Sequence, residues 1–404
     1  MEYRRFGKTE EKISVITLGG MRFKHGWNPP RTHLPAESVQ NCIEITRQAL
    51  KLGINHIETA HGYMKSENLF GVALKELGVP RESFKMMTKG APMTGDETRA
   101  LVEEQLNSLQ LDYIDFYGWH GINNAERLKA AVKPGGPVEV LHKLREEGII
   151  RHIGFSTHGP LDVILQTLNT DLFSFMNLHF YYFFQRNQEA VRLAGQKDIG
   201  VFIISPNEKG GLLWKPSRKV EETCHPLTAI QFNGRFCLSY PEVTTLSMGI
   251  HEPEHFHQNL SILNGDDYVS PETRILQEKM DNLLSNTSEL CTLCSECLPC
   301  PEEINIPEVL RFRNLLEAYD MVDYGKFRYN MFEGEGHWFP GNFASKCTEC
   351  GDCLERCPEK LEIPRLLKQT HKDLFDRNAW IKNKAFQLAA SFAKFFRKFI
   401  PGLT

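Results

Sequence analysis

The sequence predicts an α/β fold, a (β/α)8 or TIM barrel over residues 1–270, followed by a smaller and mainly helical domain. The first observation is that eight β-branched or aromatic runs alternate with eight amphipathic stretches. The second is that eight of the eleven cysteines lie in two tight runs near the C-terminus. A chain of 404 residues has room for a large barrel and a separate small domain.

Eight segments have the length and composition of buried strands. They are Ile13–Leu18, His56–Glu58, Lys85–Thr88, Ile114–Trp119, His152–Phe155, Ser174–Leu178, Val201–Ile204 and Val243–Ser247. A strand followed by a helix, repeated eight times, is the pattern of a (β/α)8 barrel.

The segments between these strands carry apolar residues at helical spacing. They are Ser38–Leu52, Ser66–Leu77, Asp96–Leu109, Val138–Glu147, Leu161–Leu168, Gln188–Lys197, a segment near Thr228–Ser239, and Glu254–Leu263. A doubly wound sheet is the competing fold, but only Gly19-Gly20 follows the first strand, and no Gly-x-Gly-x-x-Gly turn is present there. We expect no internal repeat.

The two cysteine runs have the spacing of iron–sulfur ligands. The first is Cys291-x2-Cys294-x2-Cys297-x2-Cys300, and the second is Cys347-x2-Cys350-x2-Cys353-x3-Cys357, each followed by proline. Four thiolates per run is the ligand count of a [4Fe–4S] cluster, and the second run has the bacterial ferredoxin spacing. The sequence therefore predicts a ferredoxin-like domain with two [4Fe–4S] clusters over residues 285–375.

The fourth cysteine of each run is expected to bind the other cluster, as in two-cluster ferredoxins. One predicted ligand set is Cys291, Cys294, Cys297 and Cys357. The other is Cys347, Cys350, Cys353 and Cys300. Between the runs, Ile306–Tyr319 reads as a helix with Pro307 near its start.

Structural zinc is the alternative for these cysteines, since zinc sites also use Cys-x2-Cys pairs. A disulfide scaffold is less favoured, because the sequence shows no secretory context. The remaining cysteines, Cys42, Cys224 and Cys237, are scattered, and we interpret each as a small buried apolar residue.

Composition limits the classes of function. The chain is 41% hydrophobic and 24% charged, with a formal net charge of −4, which does not indicate a nucleic-acid-binding protein. The N-terminus is charged and lacks the apolar region of a signal peptide, and we find no apolar run of membrane-spanning length. We therefore expect a cytoplasmic protein.

Four polar side chains are predicted to meet at the C-terminal rim of the barrel, where barrel enzymes carry their chemistry. Glu58 and Tyr63 follow the second strand, Lys89 follows the third, and His120 follows the fourth. A tyrosine can protonate a carbonyl oxygen as hydride reaches the carbon, and a nearby ammonium lowers the tyrosine pKa. A neutral histidine can orient that oxygen.

Several motifs in order along the first 265 residues carry a resemblance. They are the opening Tyr3–Thr9 stretch, Thr17-Leu18-Gly19-Gly20-Met21, Ile57-Glu58-Thr59-Ala60-x-x-Tyr63, Ile153-Gly154-Phe155-Ser156, Ser205-Pro206 followed by Gly210-Gly211-Leu212, and Gly249, Glu254 and Asn259. On these the chain resembles the aldo-keto reductases. With the cysteine runs, it resembles the subgroup that has a C-terminal dicluster 4Fe–4S ferredoxin-like domain.

The resemblance implies roles for individual residues. Tyr63 would be the proton donor, Lys89 would lower its pKa, and His120 would orient the carbonyl; Glu58 stands where aspartate is usual. The family binds NADP in extended form across the rim. The residues expected to bind the nucleotide are Gly20, Ser156, Asn177, Ser205, Gly249 and Asn259.

Three departures bear on the nucleotide. Asn177 stands where glutamine is usual, and Thr157 replaces a common asparagine. The basic residues that hold a 2′-phosphate are not evident around Ile250–Glu252, so NADP is favoured and NAD is the alternative. His61, His158 and His179 also lie near the rim, and we interpret them as ordinary polar residues.

The C-terminal segment 376–404 contains an amphipathic and basic helical pattern over residues 380–400. One interpretation is a helix at a membrane surface, which would make the protein peripheral to a membrane. The other, which we favour, is a helix docked on this protein or on a redox partner.

The sequence thus predicts an NAD(P)H-dependent oxidoreductase that reduces, or oxidises, a small carbonyl or alcohol at the barrel rim. Hydride transfer moves two electrons together, whereas each cluster exchanges one. The clusters are therefore predicted either to transfer electrons at a second site or to be structural. The alternative is a non-enzymatic, partner-dependent electron carrier on a degenerate barrel.

Overall fold

The computed structural model describes residues 1–28, 30–265, 267–378 and 380–381. The chain forms two compact units. The first comprises Met1–Gly210 and Ile230–Ser270, and the second comprises Gly211–Ala229 and the chain from Pro271 onward. The segment Gly211–Ala229, which lies inside the predicted barrel range of 1–270, is therefore part of the second unit.

The first unit is a closed barrel of eight parallel strands, which confirms the predicted fold class. Two strands, β1 (Tyr3–Arg5) and β2 (Lys12–Ser14), form a separate hairpin. The eight barrel strands are β3 (Ile16–Gly19), β4 (His56–Glu58), β5 (Lys85–Gly90), β6 (Ile114–His120), β7 (Ile150–Ser156), β8 (Phe175–Leu178), β9 (Gly200–Ile203) and β10 (Val243–Gly249). Strands β3 to β10 follow one another around the barrel, and β10 pairs with β3 to close it.

The predicted first strand, Ile13–Leu18, is divided in the structure. Its first residues belong to β2, which pairs antiparallel with β1 and places Tyr3 opposite Ser14. Phe6 lies in the connection between β1 and β2, is fully buried, and packs edge-on against Phe116 with ring centroids 5.2 Å apart. The hairpin therefore adds a phenylalanine to the barrel core, where burying one such side chain stabilises the fold by about 1.5–3 kcal/mol.

The helices of the two units are α1 (Ala36–Lys51), α2 (Ser66–Leu77), α3 (Gly95–Leu109), α4 (Ala125–Val132), α5 (Pro137–Glu146), α6 (Leu161–Leu168), α7 (Gln188–Gln196), α8 (Arg218–Cys224), α9 (Ala229–Leu238), α10 (Glu254–Leu260), α11 (Pro271–Ser285), α12 (Ile306–Tyr319), α13 (Val322–Tyr329), α14 (Asp352–Arg356) and α15 (Ile363–Leu374). The sequence did not predict α4, α8, α11, α13 or α14. Local signals fix several ends; for example, Thr94 and Glu97 form a capping box at the start of α3.

The second unit packs short helices around aromatic side chains. Phe312 of α12 lies 6.3 Å, between ring centroids, from Tyr324 and from Phe332. The hydroxyl of Ser217 begins α8 by accepting a hydrogen bond from the Val220 amide, and it donates to the Tyr319 carbonyl oxygen at 2.5 Å. Helix α8 is thereby tied to α12 within the second unit.

No helix in the described part of the chain is both long enough and apolar enough to span a bilayer. The predicted C-terminal helix over residues 380–400 lies, apart from its first residues, outside the described residues. Both of its interpretations therefore stay predictions. The three scattered cysteines, Cys42, Cys224 and Cys237, are buried as expected, and burial raises the pKa of the Cys42 thiol to about 12.

Candidate active site and cysteine-lined cavities

Strand register brings the predicted rim residues to the same end of the barrel. Glu58 ends β4, His120 ends β6, and both lie at the C-terminal end, where parallel strands carry functional groups. Across β5 and β6, Lys89 is paired with Gly118, and across β6 and β7, His120 is paired with Ser156. The structure therefore places Glu58, Lys89, His120 and Ser156 along one continuous rim.

Tyr63 lies in a short 3-10 helix, His61–Tyr63, between β4 and α2. The turn is held from both sides, because the Tyr63 amide donates to Ala60 and the Thr59 hydroxyl donates to the Ser66 hydroxyl at 2.8 Å. Beyond it, the buried Glu67 carboxylate accepts hydrogen bonds from Thr88, at 2.6 Å, and from Gln105. These bonds join the start of α2 to β5 beside Lys89.

Glu58 is the centre of a buried hydrogen-bonded group. The Lys89 ammonium donates to Glu58 Oε1 and, at 2.7 Å, to the Thr59 carbonyl oxygen. The Tyr63 hydroxyl donates to the same Glu58 oxygen at 3.3 Å, and Ser247 donates to the other oxygen at 3.2 Å. Glutamate, which stands where the resemblance led us to expect aspartate, thus contacts both Lys89 and Tyr63.

The pKa of Tyr63 is shifted in the direction opposite to the sequence-based expectation. Burial and the Glu58 carboxylate raise the pKa of Tyr63 well above its usual value. Burial lowers the pKa of Lys89, while Glu58 opposes that shift. The physical reason is that Lys89 Nζ bonds to Glu58 and lies 4.9 Å from the Tyr63 ring centroid, so the nearest charge to the phenol oxygen is the carboxylate. Tyr63 is therefore held as a neutral phenol.

His120 lies against the Tyr63 ring. The two ring centroids are 6.0 Å apart and the ring planes are nearly perpendicular, at 84°. A Cβ atom at Gly62 would be 3.7 Å from the His120 ring, so the turn passes the imidazole in ordinary van der Waals contact. The structure thus brings Tyr63, Lys89, His120 and Glu58 together, as the sequence predicted they would lie.

Ser156 and Asn177 are adjacent on β7 and β8. Asn177 is fully buried; its amide nitrogen lies 3.2 Å from Met87 Sδ, and its side-chain oxygen has no hydrogen-bond partner among the described residues. A buried amide oxygen without a partner costs free energy unless a donor reaches it. The primary amide of a nicotinamide ring is such a donor. Ser156 and Asn177 therefore fit the nucleotide that the resemblance assigned to them.

The sequence analysis also expected Gly20, Asn259 and Ser205 to bind the nucleotide, and the structure places each of them differently. Gly20 is closely packed, because a Cβ there would lie 2.4 Å from Phe70 and Ser66, so its small size serves packing. Asn259 is buried, and its side-chain oxygen accepts a hydrogen bond from Asn207 at 2.6 Å. Ser205 follows β9 with a positive φ of 49°, which turns the chain sharply at the rim.

Two basic residues after β3, Arg22 and Lys24, were not considered as nucleotide-binding residues in the sequence analysis. Gly249 ends β10, and a Cβ there would lie 2.6 Å from the Arg22 side chain. Arg22 pairs with Glu208, and Lys24 pairs with Glu252 at 2.6 Å. The signal was present, since both basic residues follow Gly19-Gly20, but sequence reasoning considered only the segment after the eighth strand.

The second unit contains two cavities lined by cysteines. Cys291, Cys294, Cys297 and Cys357 line one of them. Cys300, Cys347, Cys350 and Cys353 line the other, which Cys297 also borders. The structure therefore brings together the two groups that the sequence analysis proposed, with the fourth cysteine of each run exchanged. Pro307 and Leu310 line the first cavity and Pro364 and Leu367 the second, so thiols surrounded by apolar groups suit an iron–sulfur cluster.

The two cysteine loops repeat the same backbone, so the expectation of no internal repeat was wrong. Leu293 and Glu349, the second residues after the first cysteine of each run, both have positive φ. So do Ser295 and Gly351, which follow the second cysteine. An Ile-Pro pair then begins α12 and α15. The repeat was hidden because the second run has one additional residue before its fourth cysteine.

The family of the barrel is decided by comparison with known proteins. Residues 15–279 match the model of the aldo/keto reductase family, which is most of the chain. The chain belongs to the aldo/keto reductase family. Residues 290–361 match a 4Fe–4S dicluster domain. The predicted subgroup and the predicted oxidoreductase class of this aldo/keto reductase are therefore confirmed, and the dicluster match favours iron–sulfur over zinc.

Individual relatives are distant. The chain is 30% identical over 179 residues to L-galactose dehydrogenase of Arabidopsis thaliana, covering 42% of this reductase and 52% of that protein. It therefore spans about half the length of that relative. It is 24% identical over 315 residues to the uncharacterized oxidoreductase YqkF of Bacillus subtilis, covering 69% of this chain and 96% of that one.

Among solved structures, the holo form of the aldo-keto reductase AKR11C1 from Bacillus halodurans superposes with a TM-score of 0.58 at 20% identity. The match covers 69% of this chain and 96% of that chain. At this level of identity the superposition shows a shared fold.

Proposed function

We propose that this protein is an NAD(P)H-dependent reductase of small carbonyl compounds, acting at the barrel rim. The observation that carries the proposal is the hydrogen-bonded group of Tyr63, Glu58 and Lys89 at the ends of β4 and β5, with His120 against the tyrosine ring. A proton donor, a charge pair that fixes it and a neutral orienting group are what carbonyl reduction requires.

Each residue has one task in this proposal. A reduced nicotinamide held by Ser156 and Asn177 would supply the hydride for the carbonyl carbon. Tyr63 gives its hydroxyl proton to the carbonyl oxygen, and a raised pKa keeps that proton in place until then. His120 holds the oxygen near the phenol. The Lys89–Glu58 pair fixes the position of the tyrosine hydroxyl, and in the reverse direction Tyr63 accepts the proton of an alcohol.

We propose that Ser156 and Asn177 bind the nicotinamide carboxamide, and that Ser205, Gly249 and Asn259 line the remainder of the nucleotide site. NADP is favoured over NAD. This preference is supported by two basic side chains that follow β3, Arg22 and Lys24, of which Arg22 lies beside Gly249 at the end of β10. Guanidinium and ammonium groups are the usual partners of a phosphate.

In the second unit, we propose two [4Fe–4S] clusters, held by the two sets of four cysteines that line the cavities. Bound clusters supply one-electron transfer, so a redox partner protein that exchanges single electrons is part of the proposal. Anaerobically purified protein should contain about eight irons and eight sulfides per chain. Zinc without sulfide would contradict this assignment, and Cys42→Ser, which alters a buried barrel cysteine, is the matched control.

The decisive test of the reductase is Tyr63→Phe. NADPH oxidation in the presence of a small aldehyde should fall by at least about a hundredfold, because general acid catalysis contributes 10²–10⁴-fold. Tyr3→Phe is the matched control, since its hydroxyl is on the N-terminal hairpin and bonds to the Gly53 carbonyl oxygen. Equal turnover by Tyr63→Phe and the parent would show that the assigned mechanism is wrong.

A further inference from the structure

Met64, the residue after the proposed proton donor, has a backbone conformation that the proposed mechanism does not explain. Its φ is 49° and its ψ is −108°, and the next residue, Lys65, has a φ of −83° and a ψ of −4°. These are the angles of the two central residues of a type II′ turn, whose first central position favours glycine. A methionine there is strained, because its Cβ atom crowds the backbone at positive φ.

The strain at Met64 is specific to its ψ angle. At Gln110, which ends α3, a positive φ of 54° comes with a ψ of 44°, which is the ordinary left-handed region. Met64 shares this φ but not this ψ, and ψ sets the direction of the residue's own carbonyl group. Strain of this kind persists only where neighbouring groups hold it. A group that binds the Met64 carbonyl oxygen therefore acts directly on the strained angle.

Arg31, in the segment between β3 and α1, binds this carbonyl oxygen. Its Nε atom donates to the Met64 carbonyl oxygen at 3.1 Å, and its Nη2 atom donates to Glu67 at 2.6 Å. The remaining nitrogen, Nη1, reaches the exposed Glu104 at 3.3 Å. The Glu67 side chain is fully buried and that of Arg31 is only 20% exposed. A guanidinium offers these donors in one rigid plane, whereas a lysine ammonium is a single compact charge.

The Arg31 contacts connect the turn to the strand that carries Lys89. Glu67 accepts a hydrogen bond from Thr88, the residue before Lys89 in β5. Arg31 thus binds, with two atoms of one plane, the backbone next to Tyr63 and a carboxylate fixed to β5. The position of the tyrosine relative to Lys89 depends on this connection.

A second contact reaches the turn but does not act on the strained angle. The buried Lys65 ammonium donates to the His25 carbonyl oxygen at 3.2 Å and to the Asn28 side-chain oxygen at 3.1 Å. Both bonds are made by a long side chain, which can keep them while the Met64 carbonyl group rotates. Lys65 therefore attaches the segment before α1 to the turn without fixing the turn's conformation.

We propose that Arg31 is a positioning residue for Tyr63, because it holds the Met64 carbonyl group and thereby keeps the strained turn in the conformation that places the tyrosine hydroxyl beside Glu58 and Lys89. Without this contact the turn relaxes and the hydroxyl moves away from the pair. This inference deepens the reductase function proposed above and rests on it.

The test is a cycle of four full-length proteins, namely the parent, Arg31→Lys, Met64→Gly and the double variant. Arg31→Lys keeps a positive charge for Glu67 but loses the bond to the Met64 carbonyl oxygen. Its kcat for NADPH-dependent reduction of a small aldehyde should fall about tenfold, less than the roughly hundredfold cost of a full 1 Å misplacement. The KM for NADPH should not change, because Ser156 and Asn177 are untouched.

Glycine at position 64 should remove the need for Arg31. Because glycine adopts this turn without steric cost, Arg31→Lys should lower kcat by no more than about twofold in the Met64→Gly background. If Arg31→Lys lowers kcat by the same factor in both backgrounds, Arg31 acts through Glu67 and not through the turn, and the inference is overturned. A change confined to the KM for NADPH overturns it as well.

Chemical denaturation of the same four proteins gives a measurement that does not need an active enzyme. In the parent, Met64→Gly removes the strain and should raise the denaturation midpoint. In Arg31→Lys the turn has already relaxed, so Met64→Gly should raise the midpoint less. Equal shifts in the two backgrounds would show that Arg31 does not hold the turn, and would overturn the inference even in an active reductase.

Arg99 and Gln110 provide the matched control cycle. Arg99 pairs with Glu147 at the surface, and Gln110 has a positive φ, but the two residues lie about 16 Å apart along α3. The effects of Arg99→Lys and Gln110→Gly on the midpoint should therefore add, and coupling as large as that of Arg31 and Met64 would overturn the inference. If the parent reduces no aldehyde, the reductase proposal fails, and the role of Arg31 toward Tyr63 fails with it.

Discussion

Tyr63 and Glu58 share a hydrogen bond, and that contact decides which form of the tyrosine the site holds. Tyrosine is an acid in carbonyl reduction and a base in alcohol oxidation, so one pKa has opposite effects on the two directions. Burial and the Glu58 carboxylate raise the pKa of Tyr63 well above its usual value of about 10. The site therefore holds Tyr63 as the neutral phenol, the form that the proposed carbonyl reduction uses.

The pH dependence of the two reaction rates follows from the upward shift of the Tyr63 pKa. Because the neutral phenol persists up to and beyond about pH 10, kcat/KM for carbonyl reduction should show no alkaline loss between pH 8 and pH 10. Alcohol oxidation needs the phenolate, so its rate should rise with pH across the same interval. Initial rates in both directions measure this. An alkaline fall of the reductive rate below pH 9 would contradict the raised pKa.

The Glu58–Lys89 pair gives a second prediction about single residues. Both side chains are almost fully buried, so Glu58→Gln leaves an ammonium without its counter-charge and should lower the free energy of unfolding by about 3 kcal/mol. Glu58→Asp keeps the charge and should lose less. The double variant Glu58→Gln/Lys89→Met removes both charges and should recover part of the loss in chemical denaturation. Equal stability of Glu58→Gln and the parent would show that the pair is not buried as described.

Among the secondary-structure elements, the two cysteine loops show how the backbone shapes a ligand site. Left-handed residues at matching positions curl each loop around its cavity, and glycine occupies one of them, Gly351, with a φ of 88°. At the matching position of the first loop, Ser295 adopts a φ of 67°. A side chain is therefore tolerated there if it is not β-branched.

Substitutions at Gly351 test the requirement for that backbone conformation. A Cβ atom at Gly351 would meet no atom within 4 Å, so any cost arises from the backbone alone. Gly351→Ser should retain the parent iron and sulfide content. Gly351→Val should lower it, because a β-branched residue is a genuine outlier at positive φ. Equal iron content in both variants would mean that the loop tolerates another conformation.

Elements with a strong periodic pattern were predictable from the sequence. The bounds of α2 and α6, Ser66–Leu77 and Leu161–Leu168, agree with the prediction. The divided first strand was missed, because its apolar residues run on through Val15 and the pattern marks no break there. Helix α4 was missed because it lies between the predicted strand that ends at Trp119 and the predicted helix that begins at Val138, where the sequence analysis assigned no element.

The residues of the site that lie in recognisable motifs were predictable from the sequence. The contacts between residues that are far apart in the chain were not. Tyr63, Lys89 and His120 are recognisable from strand ends. The pairing of Arg22 with Glu208 joins residues from different loops. No local pattern encodes such contacts. The raised pKa of Tyr63 likewise depends on which of two opposite charges lies nearer, and the sequence does not contain that distance.

For the molecule as a whole, the path of the chain is the informative feature. The chain leaves the barrel unit after Gly210, contributes α8 to the second unit, and returns at Ile230. Helix α8 contacts α11, and its Val220 and Cys224 are buried. A protein truncated after Ser270 would therefore keep α8 without its partner helices.

Truncation tests this organisation. Residues 1–270 alone should aggregate, since α8 would expose Val220 and Cys224 to solvent. A matched variant of 1–270 that also replaces residues 211–229 with a short glycine–serine linker should remain monomeric in size-exclusion chromatography. Monomeric behaviour of both truncated proteins would contradict the assignment of α8 to the second unit.

The same path predicts how the protein responds to a protease. A single cut between Ser270 and Pro271 divides the polypeptide into two fragments, but the longer fragment retains α8. The fragments should migrate together in a native gel and separate only after denaturation. Release of the whole second unit requires three cuts, on both sides of the inserted segment and after Ser270, so a nick in one linker does not free this unit from the rest of the chain.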